Sequence, residues 1–304
     1  MRIAYLILAH NNPCVLERAI RRLSTEDCVF FIHIDRKSNL AAFSRIRGEN
    51  VHFNEERVPV YWGDFSQVQA ILLLLRTALE NLQHFDYFVL MSGCDYPLRS
   101  GDYIRQFLAA NRGLEFMNLV KVPSPGKPLS RITTLRYPCS KPVLQLVVRA
   151  LAKFGFARRD HRNYFGAMEP YSGSTWWALT RDACQYLMEF IDRNQRMCKF
   201  FENVFAADEA FLQTILGNSP FMPRIRRNLL FEDWSTQGAH PATIDGEHVA
   251  LFEVQNEVRV SDVYGEGEVL FARKFSDSDL DLLKRIDNMI EQKERRARRA
   301  ECIT

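Results

Sequence analysis

Apolar and polar positions alternate along the chain in blocks whose lengths and periods name the elements. Ile3–Ala9 is a continuous apolar run closed by Asn11-Asn12-Pro13, the pattern of a strand buried on both faces. Val15, Leu16, Ala19, Ile20 and Leu23 follow at helical spacing, and a second run, Val29–Ile34, stops at Asp35. Val51–Phe53 predicts a short third strand, Gln67–Leu82 a long helix opened by Ser66, and Asp86–Met91 a fourth strand ending in Ser92-Gly93-Cys94-Asp95-Tyr96-Pro97. A helix over Gly101–Ala110 and a strand over Glu115–Leu119 complete this stretch. Strands alternating with helices at this spacing predict an α/β fold: a Rossmann-like, mostly parallel central sheet with helices on both faces.

The pattern breaks over residues 121–172, where Pro123, Pro125, Pro128, Pro138 and Pro142 interrupt the chain and Arg158-Arg159-Asp160-His161-Arg162 adds charge. One helix, Val143–Phe154, is expected in this loop-rich stretch, and loops of this kind carry binding residues. Order resumes with a strand at Ser174–Thr180 and helices at Arg181–Arg193 and Asp208–Leu216. A last helix, Asp279–Arg299, places Leu280, Leu283, Ile286 and Ile290 on one face. No repeat or linker is visible. The expectation is a single domain over 1–304, with a nucleotide-binding half (1–120), an acceptor and catalytic half (121–275) and a basic C-terminal helix (276–304).

Composition narrows the class. In 304 residues, 47% hydrophobic, the 22 Phe do not suit a solvated coil. Forty Lys and Arg against 37 Asp and Glu are too balanced for a dedicated nucleic-acid binder; the excess is local, at Arg224-Ile225-Arg226-Arg227 and in the tail after Lys293. Apolar runs are too short to span a bilayer. The seven cysteines, at 14, 28, 94, 139, 184, 198 and 302, have no C-x-x-C spacing; free thiols in a reducing compartment are expected.

In an open parallel sheet ligands bind beyond the carboxyl ends of the strands. The polar residues there are His10, then Asp35 and Arg36, then Gly93 and Asp95. Asp35 can accept hydrogen bonds from a ribose or a base; a cap or a bond to Arg36 is its structural alternative. No G-x-G-x-x-G follows the first strand and no G-x-x-x-x-G-K-[ST] occurs, so the usual phosphate cradles are missing. His33-x-Asp35 lacks a third ligand, and Asp277-Ser278-Asp279 opens a helix rather than ending a central strand, so no metal site is expected.

Seven motifs then line up from residue 4 to residue 275. Tyr5–His10, Phe31–Lys37, Met91–Leu98, Gly173–Trp177, Ala207-Asp208-Glu209-Ala210-Phe211, Asp233-Trp234-Ser235 with His240-Pro241, and Leu270–Phe275 resemble, in order, those of the core-2/I-branching N-acetylglucosaminyltransferase and peptide O-xylosyltransferase family. The resemblance implies a GT-A type fold and an inverting, metal-independent transfer of GlcNAc from a UDP-sugar to a glycan hydroxyl. UDP-xylose is the alternative donor, and a non-catalytic glycan- or nucleotide-sugar-binding module the alternative role. It makes Glu209 the catalytic base that takes the acceptor proton, against the alternative that Asp208 and Glu209 only cap a helix. It makes Lys274 a contact of the UDP phosphates, with Arg259 as the candidate partner arginine and Arg273 the alternative under another register. Lys127 and Arg131, after Pro123-Ser124, match its acceptor segment; Trp176, Trp177 and Trp234 are candidates to stack on sugars and Asp233 to orient a hydroxyl. The family's Golgi anchor, stem and disulfides have no counterpart in the sequence. A cytoplasmic bacterial member is therefore expected, acting in surface polysaccharide synthesis on a glycan or lipid-linked glycan and touching anionic lipid through the basic C-terminal helix.

Overall fold

The computed structural model describes residues 1–137, 142–153, 157–236, 238 and 240–301. In chain order the strands are β1 (Ile3–Ala9), β2 (Cys28–Ile34), β3 (Val51–Phe53), β4 (Tyr87–Ser92), β5 (Tyr96–Pro97) and β6 (Glu115–Lys121). Then come β7 (Tyr171–Thr180), β8 (Ile225–Arg226), β9 (Leu230–Glu232), β10 (Arg259–Asp262), β11 (Gly265–Glu268) and β12 (Phe271–Arg273). The helices are α1 (Pro13–Leu23), α2 (Ser66–Glu80), α3 (Gly101–Ala110), α4 (Ser130–Thr133), α5 (Pro142–Lys153) and α6 (Arg162–Phe165). They continue with α7 (Arg181–Arg193), α8 (Gln195–Phe201), α9 (Phe211–Gly217), α10 (Gly246–Val254) and α11 (Leu280–Glu301).

The central sheet runs β3-β2-β1-β4-β7-β6-β8. Every neighbouring pair is parallel except those made by β7, which is antiparallel to both β4 and β6. This is an α/β fold with a mostly parallel sheet flanked by helices. All seven residues of β2 are buried, and six of seven in β1, as their unbroken apolar runs require when both faces are covered. Ser100 caps α3 and Thr180 caps α7, each accepting from the amide three residues on. Glu115, buried in β6, accepts both the N–H and the hydroxyl of Thr180 and ties the antiparallel strand to its neighbour.

A second, three-stranded sheet, β5-β12-β9, sits beyond the end of β4. It shares a separate apolar core with α10 and α11, built on Tyr96, Phe252, Phe275, Leu283, Ile286 and Ile290. Asp287 on α11 accepts from Arg18, Arg22 and Tyr96, at 2.6, 2.6 and 2.8 Å. The front half of the basic C-terminal helix is thereby fastened to α1 and β5. Leu280, expected on its buried face, is exposed instead, because packing begins one turn later at Leu283.

Two further expectations change. The helix expected over Asp208–Leu216 begins at Phe211; Ala207–Glu209 is a separate 3-10 turn, because the Asp208 side chain bonds to Thr175 rather than capping. The helix expected over Val143–Phe154 is α5, and Phe154 lies outside the described residues, as do Cys139 and Cys302. Among the described residues no helix is long and apolar enough to cross a membrane.

Candidate active site

The carboxyl ends of β1, β2 and β4 bring His10, Asp35 and Gly93 to one rim. A Cβ on Gly93 would stand 2.7 Å from that of Ala9, so only glycine lets the chain turn this close to β1. Asp35 is largely occupied: one oxygen accepts the Lys37 amide at 2.9 Å and the Val60 amide at 3.3 Å, and the other the Lys37 ammonium at 2.7 Å. Burial raises its pKa, and these bonds outweigh that and lower it. The His33 ring accepts the Val58 amide at 2.8 Å, and burial brings its pKa down to about 4, so it is a neutral structural group. His10, exposed at the strand end, also has a lowered pKa, from partial burial and from Lys37, Lys274 and Arg273, with Asp35 opposing.

The next layer comes from the small sheet. β9 and β12 run parallel with Glu232 opposite Arg273, and Lys274 follows directly. The Arg273 guanidinium lies 3.1 Å from Asp95 and stacks on the Trp176 ring at 4.2 Å. Burial raises the Asp95 carboxyl to about 6 despite that arginine. Glu232 makes no ion pair among the described residues; its one hydrogen bond, at 3.5 Å, is from Ser174. Burial raises it to about 7, with Arg273 opposing and Asp95 and Glu209 assisting.

Along β7 side chains alternate between two faces. Ser174 and Trp176 face Glu232 and Arg273, while Thr175 bonds Asp208 at 2.6 Å and Trp177 enters the main core. A bulge between Met117 and Leu119 makes this crossing possible. At Gly173 a Cβ would lie 1.7 Å from the Asn118 carbonyl, so the two backbones touch there. The freed Gly173 carbonyl accepts the Lys127 ammonium at 2.8 Å.

Lys127 then reaches Glu209 Oε2 at 2.6 Å, and Arg131 reaches the same oxygen at 3.1 Å. The turn that presents Glu209 is entered through Ala206 at φ 52°, a left-handed alanine that costs about 1–2 kcal/mol. The adjoining Asp208 is the buried member of the pair: burial and the Glu209 charge raise it to about 6, and its Oδ1 has no hydrogen-bond partner among the described residues. The rim beside this turn is aromatic. Trp62 is 58% exposed and meets Phe205 and His240 edge-on; Trp234 is 50% exposed.

Most of these residues, Arg259, Arg273 and Lys274 excepted, lie within a region known elsewhere. The sequence model described as Core-2/I-Branching enzyme matches residues 3–256. The chain belongs to the core-2/I-branching enzyme family. Xylosyltransferase 1 of Rattus norvegicus is 25% identical over 250 residues, covering 77% of this chain and 28% of that protein. Xylosyltransferase 2 of the same organism is 25% identical over 295 residues, covering 90% and 32%. The chain thus spans about three-tenths of the length of these relatives. Among solved structures, a 4-diphosphocytidyl-2C-methyl-D-erythritol synthase from Anaerococcus prevotii superposes with a TM-score of 0.30 at 11% identity, over 73% of this chain and 99% of that one, too slight a likeness to bear on the reaction.

Within this core-2/I-branching chain the candidates separate. Lys127 and Arg131 gather on Glu209, Arg273 joins Asp95 to Trp176, and Lys274 follows Arg273 within electrostatic reach of His10. Lys127 and Arg131, expected to bind the acceptor, are held on Glu209. Arg259 is not brought in: it sits on the β10–β11 hairpin, half exposed, paired with Glu257 and Glu266. Arg273, the alternative, lies on β12 against Asp95 and Trp176, directly before Lys274. Arg36 is exposed and contributes its amide to Val58. Trp176 and Trp177 are both buried in the main core, on opposite faces of β7, with Trp176 under the Arg273 guanidinium. Asp233 is engaged by Ser235 at 2.8 and 3.0 Å and by His248 at 3.2 Å. Arg227, in the local basic run Arg224-Ile225-Arg226-Arg227, is buried against Asp262. Glu232 and Trp62 were not anticipated. Among the described residues no group of three or more His, Cys, Asp or Glu is arranged to hold a metal ion.

Proposed function

We propose that the chain is an inverting glycosyltransferase that moves GlcNAc from a UDP-sugar to a hydroxyl of a glycan acceptor without a metal. Its halves are donor-binding (1–120) and acceptor-binding and catalytic (121–275), within one domain completed by the C-terminal helix (276–304). One observation carries this reading: a carboxylate on a strained turn, Glu209, lies within electrostatic reach of Glu232, the strand partner of Arg273, which Lys274 follows. Lys127 and Arg131 both bind Oε2 of Glu209, and Oε1 bonds to no described residue. The acceptor hydroxyl meets that free oxygen. As its oxygen forms a bond to the anomeric carbon from one face, the bond to the diphosphate breaks on the other and UDP leaves with the electron pair. The proton passes to Glu209. Charge accumulates on the departing diphosphate, where Lys274 attracts it more strongly in the transition state than in the ground state. Trp62 and Trp234, exposed at the rim, offer ring faces to the acceptor glycan.

Xylose is the second donor reading, favoured by the names of the rat relatives. Cytoplasmic action on a surface or lipid-linked glycan, with the tail of the C-terminal helix against anionic lipid, belongs to the same proposal. UDP release from a panel of UDP-sugars, with and without chelator, tests it. UDP-GlcNAc should be turned over with chelator present. Activity lost on chelation and restored by manganese would refute the metal-free step, and no release from any UDP-sugar would refute the transferase.

A further inference from the structure

In a single displacement the transferred sugar has to lie between the diphosphate and the oxygen held by Glu209. Glu232 stands on that line. It is the strand neighbour of Arg273, which precedes Lys274; its Oε2 is 3.5 Å from the Ser174 hydroxyl; and the residue before Ser174, Gly173, holds Lys127, which holds Glu209. The side chain is only partly covered, so it lines the cleft rather than the core. Arg273 is turned to Asp95 and Trp176 and forms no ion pair with it. Its second oxygen bonds to no described residue. A carboxyl so placed has hydrogen-bonding capacity unused by the protein, and a pyranose hydroxyl, donor and acceptor at once, matches it.

We propose that Glu232 binds a hydroxyl of the transferred sugar, and that the site therefore accepts uncharged, hydroxyl-bearing sugars and rejects uronic acids; this rests on the UDP-sugar reading above. The charged groups around it give the discrimination its sign. Asp95 and Glu209 face it as carboxylates, Arg273 is paired with Asp95 and Arg227 with Asp262. A sugar carboxylate would enter with no free cation beside it. Burial lets Glu232 keep its proton up to about pH 7, so near neutrality it donates as well as accepts.

Calorimetry with UDP, UDP-GlcNAc, UDP-xylose and UDP-glucuronic acid on the wild type, Glu232→Gln and Glu232→Ala decides the matter. UDP itself should bind all three within about twofold. Glu232→Ala should lose about tenfold or more for the uncharged donor that the wild type prefers, and Glu232→Gln should keep most of that affinity. At about pH 8, where Glu232 is ionised, UDP-glucuronic acid should bind the wild type more weakly than that donor and gain several-fold on Glu232→Gln. If every UDP-sugar follows UDP across the variants, the assignment of Glu232 is wrong while the UDP site stands. If the wild type fails to bind UDP, the functional reading and this inference fall together. Should Glu232→Ala not fold, the ratio of uncharged to uronic donor on Glu232→Gln decides alone.

Discussion

Two carboxylates at opposite ends of one cleft show how environment assigns roles to a single residue type. Glu209 has two cations within 3.1 Å of one oxygen, and Glu232 has none within ion-pair distance among the described residues. Glu232 is raised to about 7 beside a second raised carboxyl, Asp95, and the nearby arginines are turned away, Arg273 to Asp95 and Arg227 to Asp262. Cations favour the ionised form; burial without them favours the protonated one. Glu232 thereby retains its proton near neutrality, while Lys127 and Arg131 occupy one oxygen of Glu209.

Substitutions at each end break this contrast in different ways. The largest effect falls on Glu209→Gln, which should lower turnover by about 10²–10⁴ and leave UDP affinity within about twofold, measured by initial rates beside calorimetry. Turnover near the wild-type rate would remove Glu209 from the role of base. Arg273→Met comes next: it strips the cation from Asp95 and should cost about 3–5 kcal/mol of folding stability in denaturant titrations. A loss below about 1 kcal/mol would mean the buried pair is not what holds the small sheet in place. Lys274→Ala should weaken UDP by about tenfold to a hundredfold, from the loss of one charge-assisted contact of about 1.5–3 kcal/mol. Unchanged UDP affinity would place the diphosphate elsewhere.

The smallest effect is a pH dependence. Because the folded pKa of Glu232 lies above the ordinary carboxyl value, the folded chain keeps a proton that the unfolded chain has already lost. Stability should therefore fall as pH rises from about 4.5 to about 7, by on the order of 1–3 kcal/mol, and level off above that. Glu232→Gln should flatten that part of the profile. A wild-type and variant pair with the same slope would show that Glu232 ionises normally.

Much of the N-terminal part of the central sheet was legible in the chain because β1, β2 and β4 are buried on both faces and so read as unbroken apolar runs. α3 and α7 were legible to the residue, since Ser100 and Thr180 mark their starts. The small sheet was not. β9 and β12 have three residues each, too few for any period to show, and Glu232 appears in sequence only as one acid beside another. The choice between Arg259 and Arg273 also needed three dimensions, because the hairpin that carries Arg259 turns it out to Glu257 and Glu266. Asp208 looked like a helix cap because aspartate before an apolar helix usually is one; its bond to Thr175, a residue 33 positions away, overrides that local preference. Which of Trp176 and Trp177 faces the cleft depends on strand phase, and that phase is set by the backbone contact at Gly173.

Infrared difference spectra test the protonation of Glu232 most directly. Raising the pH of the ligand-free protein from about 6.5 to about 8 should bleach a protonated-carboxyl stretch, and this loss should be smaller in Glu232→Gln and unchanged in Glu209→Gln. A band that disappears in Glu209→Gln and persists in Glu232→Gln would reverse the two roles and contradict the account.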